Sequence, residues 1–126
     1  MRLKYCLRSF RLQAEHAATG YLLLDEPTAS LDLAYQLEIA ALLQQLHRER
    51  GVAVVISTHD LGLAGTICDH LLLIRDGAVV ADGATDDVLT PDNVRRVYGV
   101  ETEVIRHASG HLMVVPLRRA AGAERM

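Results

Sequence analysis

Two short apolar runs, Tyr21-Leu22-Leu23-Leu24 and Val52-Ala53-Val54-Val55-Ile56, constrain the fold of this chain more than any other feature. Neither alternates polar with apolar, so both read as strands buried on both faces, the pattern of a parallel sheet. Parallel neighbours need a crossover between them, and the intervening segment supplies one. Asp32 is placed to cap a helix running through Arg50, with Leu33, Leu37, Ala40, Ala41, Leu43 or Gln44, and Leu46 near helical spacing. Arg48 and Arg50 suit the last turn of that helix, and Gly51 follows as its terminator. Each strand ends in a polar cluster: Asp25-Glu26 before Pro27, and Ser57-Thr58-His59-Asp60. In open α/β sheets ligands gather at the carboxyl ends of the strands, so both clusters stand where chemistry is expected.

The rest of the chain changes character. A short helix is expected over residues 61–68. Residues 71–75 and 78–81 flank Asp76-Gly77 and read as a hairpin, with a second pair, Asp82-Gly83, closing the unit. Thr85-Asp86-Asp87 and Pro91-Asp92-Asn93 look like the starts of two short helices. Residues 101–106 and 111–115 suggest another hairpin around Ser109-Gly110. The apolar residues of 1–20 could fit a short helix, with basic residues at 2, 4, 8 and 11. Strand, helix, strand, helix and then hairpins imply an α/β fold: a parallel core with helices and a small antiparallel annex.

Composition excludes several functions. At 126 residues the chain has room for one domain at most. Its net charge of -3 excludes a strongly basic nucleic-acid binder, so no nucleic acid is expected as a partner. One Phe, four Tyr and no Trp argue against base-stacking platforms. Two cysteines, Cys6 and Cys68, give no disulfide framework and no zinc spacing, which suits a reducing cytoplasm. No apolar run approaches the roughly 20 residues of a membrane span, and MRLKYCLRSF has no apolar stretch like a signal peptide's centre.

Adjacent acids behind an apolar strand are costly to bury unpaired, so a cation or a solvent cleft should face Asp25 and Glu26. Asp25 could order a magnesium ion through water, and Glu26 could polarise an attacking water as general base. An acidic strand end followed by a turn explains the pair equally well. His16, His47, His70, His107 and His111 read as solvated or core-satisfied residues.

The stretch YLLLDEPTASLD, followed after one helix and one strand by STHD, resembles the ATP-binding subunit of ABC transporters. In that family the Walker B strand runs into Asp-Glu-Pro-Thr, a D-loop ends in Leu-Asp, and a Thr-His-Asp follows the next strand. The resemblance makes residues 21–25 the Walker B strand, Asp25 the magnesium-ordering carboxylate and Glu26 the catalytic one. It makes Asp32 a contact to the opposite subunit of a nucleotide-sandwich dimer. His59 becomes the switch histidine, which senses the γ-phosphate and holds Glu26 and water in line. The segment LLLIRDGAVVADGATDDVLTPDNVRRVYGVE is similar to the importers of ferric siderophores, haem and cobalamin. The resemblance implies ATP and magnesium as cofactors, and a second ATPase subunit and a membrane permease as partners. It also implies a cytoplasmic position, peripheral on the inner face of the cell membrane.

The match spans residues 21–118, a partial ABC ATPase domain, leaving 1–20 unmatched and 119–126 as a frayed tail. The family's phosphate cradle, Gly-x-x-x-x-Gly-Lys-Ser/Thr, is absent from this sequence, whose single lysine, Lys4, has no glycine before it. The signature Leu-Ser-Gly-Gly-Gln is absent too. The expectation is therefore the C-terminal part of a P-loop ABC ATPase domain with its N-terminal half missing, unable alone to bind or hydrolyse ATP. A frameshift or misplaced start would account for the abrupt beginning of the match. Without the cradle-bearing strand, an unpaired sheet edge and aggregation are expected. Two other readings fit less of the sequence: a non-catalytic dimerisation or regulatory module, and the ATPase head of a DNA-repair protein. The importer-like tail and the lack of coiled-coil heptads argue against the latter.

Overall fold

The computed structural model describes residues 4–7 and 20–122. A five-stranded sheet has the order β2-β3-β1-β4-β5, with β1 Lys4–Leu7, β2 Tyr21–Asp25, β3 Ala53–Ser57, β4 His70–Arg75 and β5 Ala78–Ala84. Strands β2 and β3 are parallel, with Asp25 opposite Ser57, so their carboxyl ends lie side by side. The remaining pairings are antiparallel.

The crossover helix α1, Leu33–Arg50, is bounded as its sequence predicts. Asp32 Oδ1 accepts the Tyr35 N–H at 3.1 Å, satisfying one of the donors a helix start leaves open. Gly51 ends the helix in the left-handed region at φ 65°, where a Cβ would be strained. Asp32→Ala should lower stability by about 1 kcal/mol, read as a drop in the midpoint of thermal unfolding. An unchanged midpoint would show that the cap contributes nothing.

The main core cluster lies on one side of the sheet, while Ala53, on the other side, is buried as well. Val54, Ile56, Leu71 and Leu73 meet Ala40 and Leu43 of α1 and Leu63, Ala64 and Ile67 of α2, Leu61–Ile67. Helices α3, Thr85–Val88, and α4, Pro91–Tyr98, add Val88, Val94 and Val97. Each fully buried branched side chain contributes about 2–3 kcal/mol from its removal from water. A second, two-stranded sheet pairs β6, Val100–Arg106, with β7, Leu112–Arg119. It joins the core through Leu112 and through Gly65, whose missing side chain lets α2 approach the Leu112 carbonyl.

Several expectations are corrected. Lys4–Leu7 is a strand, not part of a helix, and it pairs with both β3 and β4. The unpaired edge was expected beside the Walker B strand, and among the described residues β2 is indeed terminal in the sheet, while β1 lies on the far side of β3; the remainder of 1–20, apart from Gly20, lies outside the described residues. The strand at 21–25 is not buried on both faces: Tyr21 is 62% exposed and Leu23 72%. On α1, Leu33 and Leu37 point to solvent, and the buried positions are Ala40 and Leu43. Asp82-Gly83 lies inside β5 instead of closing the hairpin. At the other end β7 runs to Arg119, and Ala120 is buried with its N–H on the Gly99 carbonyl at 3.0 Å. Any fraying begins later than residue 119, and residues 123–126 lie outside the described region. Cys68 is disulfide-bonded, against the expectation of no disulfide.

Candidate functional site

The two polar clusters meet at the carboxyl ends of β2 and β3. The Glu26 N–H donates to the Ser57 carbonyl at 2.7 Å, carrying the parallel ladder one residue past Asp25. The chain then turns sharply, with Glu26 at φ 48°. A non-glycine residue in the left-handed region is strained by roughly 1–2 kcal/mol and persists only where its surroundings over-determine it. Pro27 has no N–H to extend the ladder, and tight turns follow through Ala29 N–H to Glu26 O and Leu31 N–H to Thr28 O. That turn delivers the chain to Asp32 and α1.

The Glu26 carboxylate is held from β3. The His59 backbone N–H donates to Oε1 at 3.0 Å, and the Thr58 hydroxyl donates to Oε2 at 3.4 Å. Thr58 is itself only 4% exposed, and its Oγ1 accepts the Asp60 N–H at 2.9 Å. Asp60 in turn caps α2, its Oδ1 accepting the Leu63 N–H at 3.0 Å. A chain of hydrogen bonds thus runs from the start of α2 to Glu26 Oε2, while the His59 N–H holds Oε1 separately. His59 Nε2 lies 3.6 Å from Glu26 Oε1, beyond good hydrogen-bond range, with the imidazole 54% exposed. An exposed ion pair of that length contributes little. The backbone N–H of His59, not its ring, therefore does most of the positioning.

Of the four site residues read from the sequence, Glu26 and His59 are in contact and Asp25 adjoins them at the end of β2. Asp32 is not brought to them; its carboxylate caps α1. Thr58 is the residue whose role the sequence left unassigned. Its signal was a hydroxyl between a buried strand and a polar run, where a partner is required. Asp25 offers one hard carboxylate at an exposed position, which fits magnesium held mainly through water and phosphate. No group of three or more His, Cys, Asp or Glu side chains suited to a metal occurs among the described residues. A cavity of about 630 Å³ lined by Gly65, Asp69, Thr85, Ser109 and His111 lies away from these residues.

The chain is 46% identical over 109 residues to the hemin import ATP-binding protein HmuV of Bordetella avium, covering 82% of this chain and 42% of that protein. It is part of the ABC transporter ATP-binding family. Identity to the ferric enterobactin transport ATP-binding protein FepC of Escherichia coli is 38% over 104 residues, covering 82% of this chain and 38% of that one. A solved inward-facing metal-chelate type ABC transporter superposes with a TM-score of 0.67 at 28% identity, over 77% of this chain and 39% of its own. The chain thus spans less than half the length of the curated relatives it matches. No protein-family model matches it. No helix among the described residues is long and apolar enough to cross a membrane.

Proposed function

We propose that this chain is the C-terminal part of the ATP-binding subunit of an ABC importer for haem, a ferric siderophore or a cobalamin-like solute. The observation that carries the reading is the hold on Glu26 from Thr58 and His59 across two adjacent parallel strands. Magnesium and ATP, when bound, supply a γ-phosphate made electrophilic by charge neutralisation. Asp25 would hold the metal through water. Glu26, fixed at both oxygens, would orient an attacking water and accept its proton. His59 would reach the γ-phosphate with its exposed ring while its backbone keeps Glu26 in line. Asp32, its carboxylate engaged at the start of α1, would present the D-loop to a second ATPase subunit. A membrane permease is the second partner, which puts the chain on the cytoplasmic face of the cell membrane.

The sequence lacks a phosphate cradle, and the reading includes that consequence. The chain alone should show no calorimetric ATP binding at micromolar concentrations and no phosphate release above buffer. Micromolar affinity for ATP would overturn this part of the proposal and point to a phosphate site built from other residues.

A further inference from the structure

Of the three non-glycine residues with positive φ among the described residues, two, Glu26 and Ser30, lie in the turn between β2 and α1. A side chain in that region is sterically unfavourable and persists only where contacts over-determine it. Glu26 has its hold from Ser57, Thr58 and His59. Ser30, at φ 64°, is exposed and is fixed through its neighbour Leu31. The Leu31 N–H donates to the Thr28 carbonyl at 3.3 Å, a long bond. The Leu31 carbonyl stands where the Tyr35 N–H would reach it in a continuous helix, but that N–H goes to the Asp32 cap. Gln36 takes the vacated carbonyl instead, donating from Nε2 at 3.0 Å. Its backbone N–H donates to the Asp32 carbonyl at 2.9 Å, so one residue of α1 holds two successive carbonyls of the turn.

We infer that Gln36 is a positioning residue: its side-chain amide ties down Leu31, keeps Ser30 in the left-handed region, and presents the exposed Ala29–Ser30 tip to the second ATPase subunit in one geometry. The same turn begins at Glu26, whose carbonyl accepts the Ala29 N–H at 3.1 Å, so a shift at Leu31 passes to the backbone that carries the catalytic carboxylate. The tether stands on the geometry alone, whereas its consequence for turnover rests on the proposed function. Gln45, further along the same helix, is the contrast. Its Nε2 meets Glu49 Oε2 at 3.0 Å on an exposed face and holds no loop.

The test compares Gln36→Leu with Gln45→Leu in the full chain. Leucine matches glutamine in helix propensity, so α1 itself should persist in both variants. A positive φ brings a residue's own amide and α protons close together, which gives Ser30 of the parent a strong intraresidue nuclear Overhauser effect. Gln36→Leu should abolish that signal and Gln45→Leu should keep it. In the assembly with a second ATPase subunit and a permease, Gln36→Leu should lower kcat about tenfold, the order of loss a small misplacement produces, with KM for ATP within about twofold. Adding Ser30→Gly should restore turnover to within about threefold of the parent, because glycine takes a positive φ without strain and needs no tether. Damage to the helix would not be rescued in this way. Persistence of the Ser30 signal in Gln36→Leu overturns the inference, and so does turnover by that variant equal to the parent's. An assembly of the parent chain that turned over no ATP would remove the proposed function, and the Ser30 signal would still decide the tether.

Discussion

Glu26→Gln will lower ATP turnover by the completed assembly about 10²–10⁴-fold, the range contributed by a positioned general base. The fold should be unchanged, for a reason visible in the geometry. Glutamine keeps a carbonyl oxygen to accept the His59 N–H, and its amide can donate to the Thr58 hydroxyl, which accepts as well as donates. Only the basic carboxylate is lost. Nucleotide affinity should therefore stay within a few-fold of the parent while single-turnover phosphate release collapses. Thr58→Val tests the positioning separately: it removes the donor to Oε2 and the acceptor of the Asp60 N–H, so turnover should fall by less than in Glu26→Gln. If Glu26→Gln released phosphate at a rate within threefold of the parent, roughly 0.7 kcal/mol of barrier, the general base would have to be another group.

Gly65→Ala is the structural substitution with the largest expected effect. A Cβ at Gly65 would overlap the backbone carbonyl of Leu112 and crowd the Leu89 side chain. Backbone cannot rotate away as a flexible side chain can, so α2 and β7 must separate. Overpacking of this kind costs about 1–3 kcal/mol, and a rigid backbone partner puts the substitution at the upper end. The helix propensity gained by replacing glycine, about 1 kcal/mol, only partly offsets it. The expected readout is a lower denaturant midpoint, with loss of exchange protection first in the β6–β7 sheet. A midpoint equal to that of the parent would mean the annex does not depend on this close approach.

The elements most legible in the sequence were those with local causes. Asp32 and Gly51 bound α1 because a cap and a left-handed terminator act within one turn of their own position. The start of α4 at Pro91 follows the same logic. Hairpin β4–β5 turns at Asp76-Gly77, where both residues have positive φ. The errors fell where distant partners decide. An apolar run such as 21–24 shows that a strand forms, but its burial depends on what covers each face, and Tyr21 and Leu23 stay more than half exposed. Leu33 and Leu37 matched helical spacing as well as Ala40 and Leu43 did, yet the contact between α1 and the sheet selected the latter pair. The strand at Lys4–Leu7 was missed because its hydrogen bonds go to β3 and β4, about 50 and 65 residues along the chain.

The site divides along the same line. The sequence by itself determined the residue types and their order: carboxylates after one strand, Thr-His-Asp after the next, one helical crossover between them. That order is set by motif chemistry and by the right length for a crossover. Only the tertiary structure decided that Glu26 is gripped by a backbone N–H and a buried hydroxyl, with the imidazole at a distance. It also decided that Asp25 ends a strand whose Tyr21 and Leu23 stay more than half exposed. These depend on strand register and on which faces find partners, and neither is encoded in any one stretch of residues.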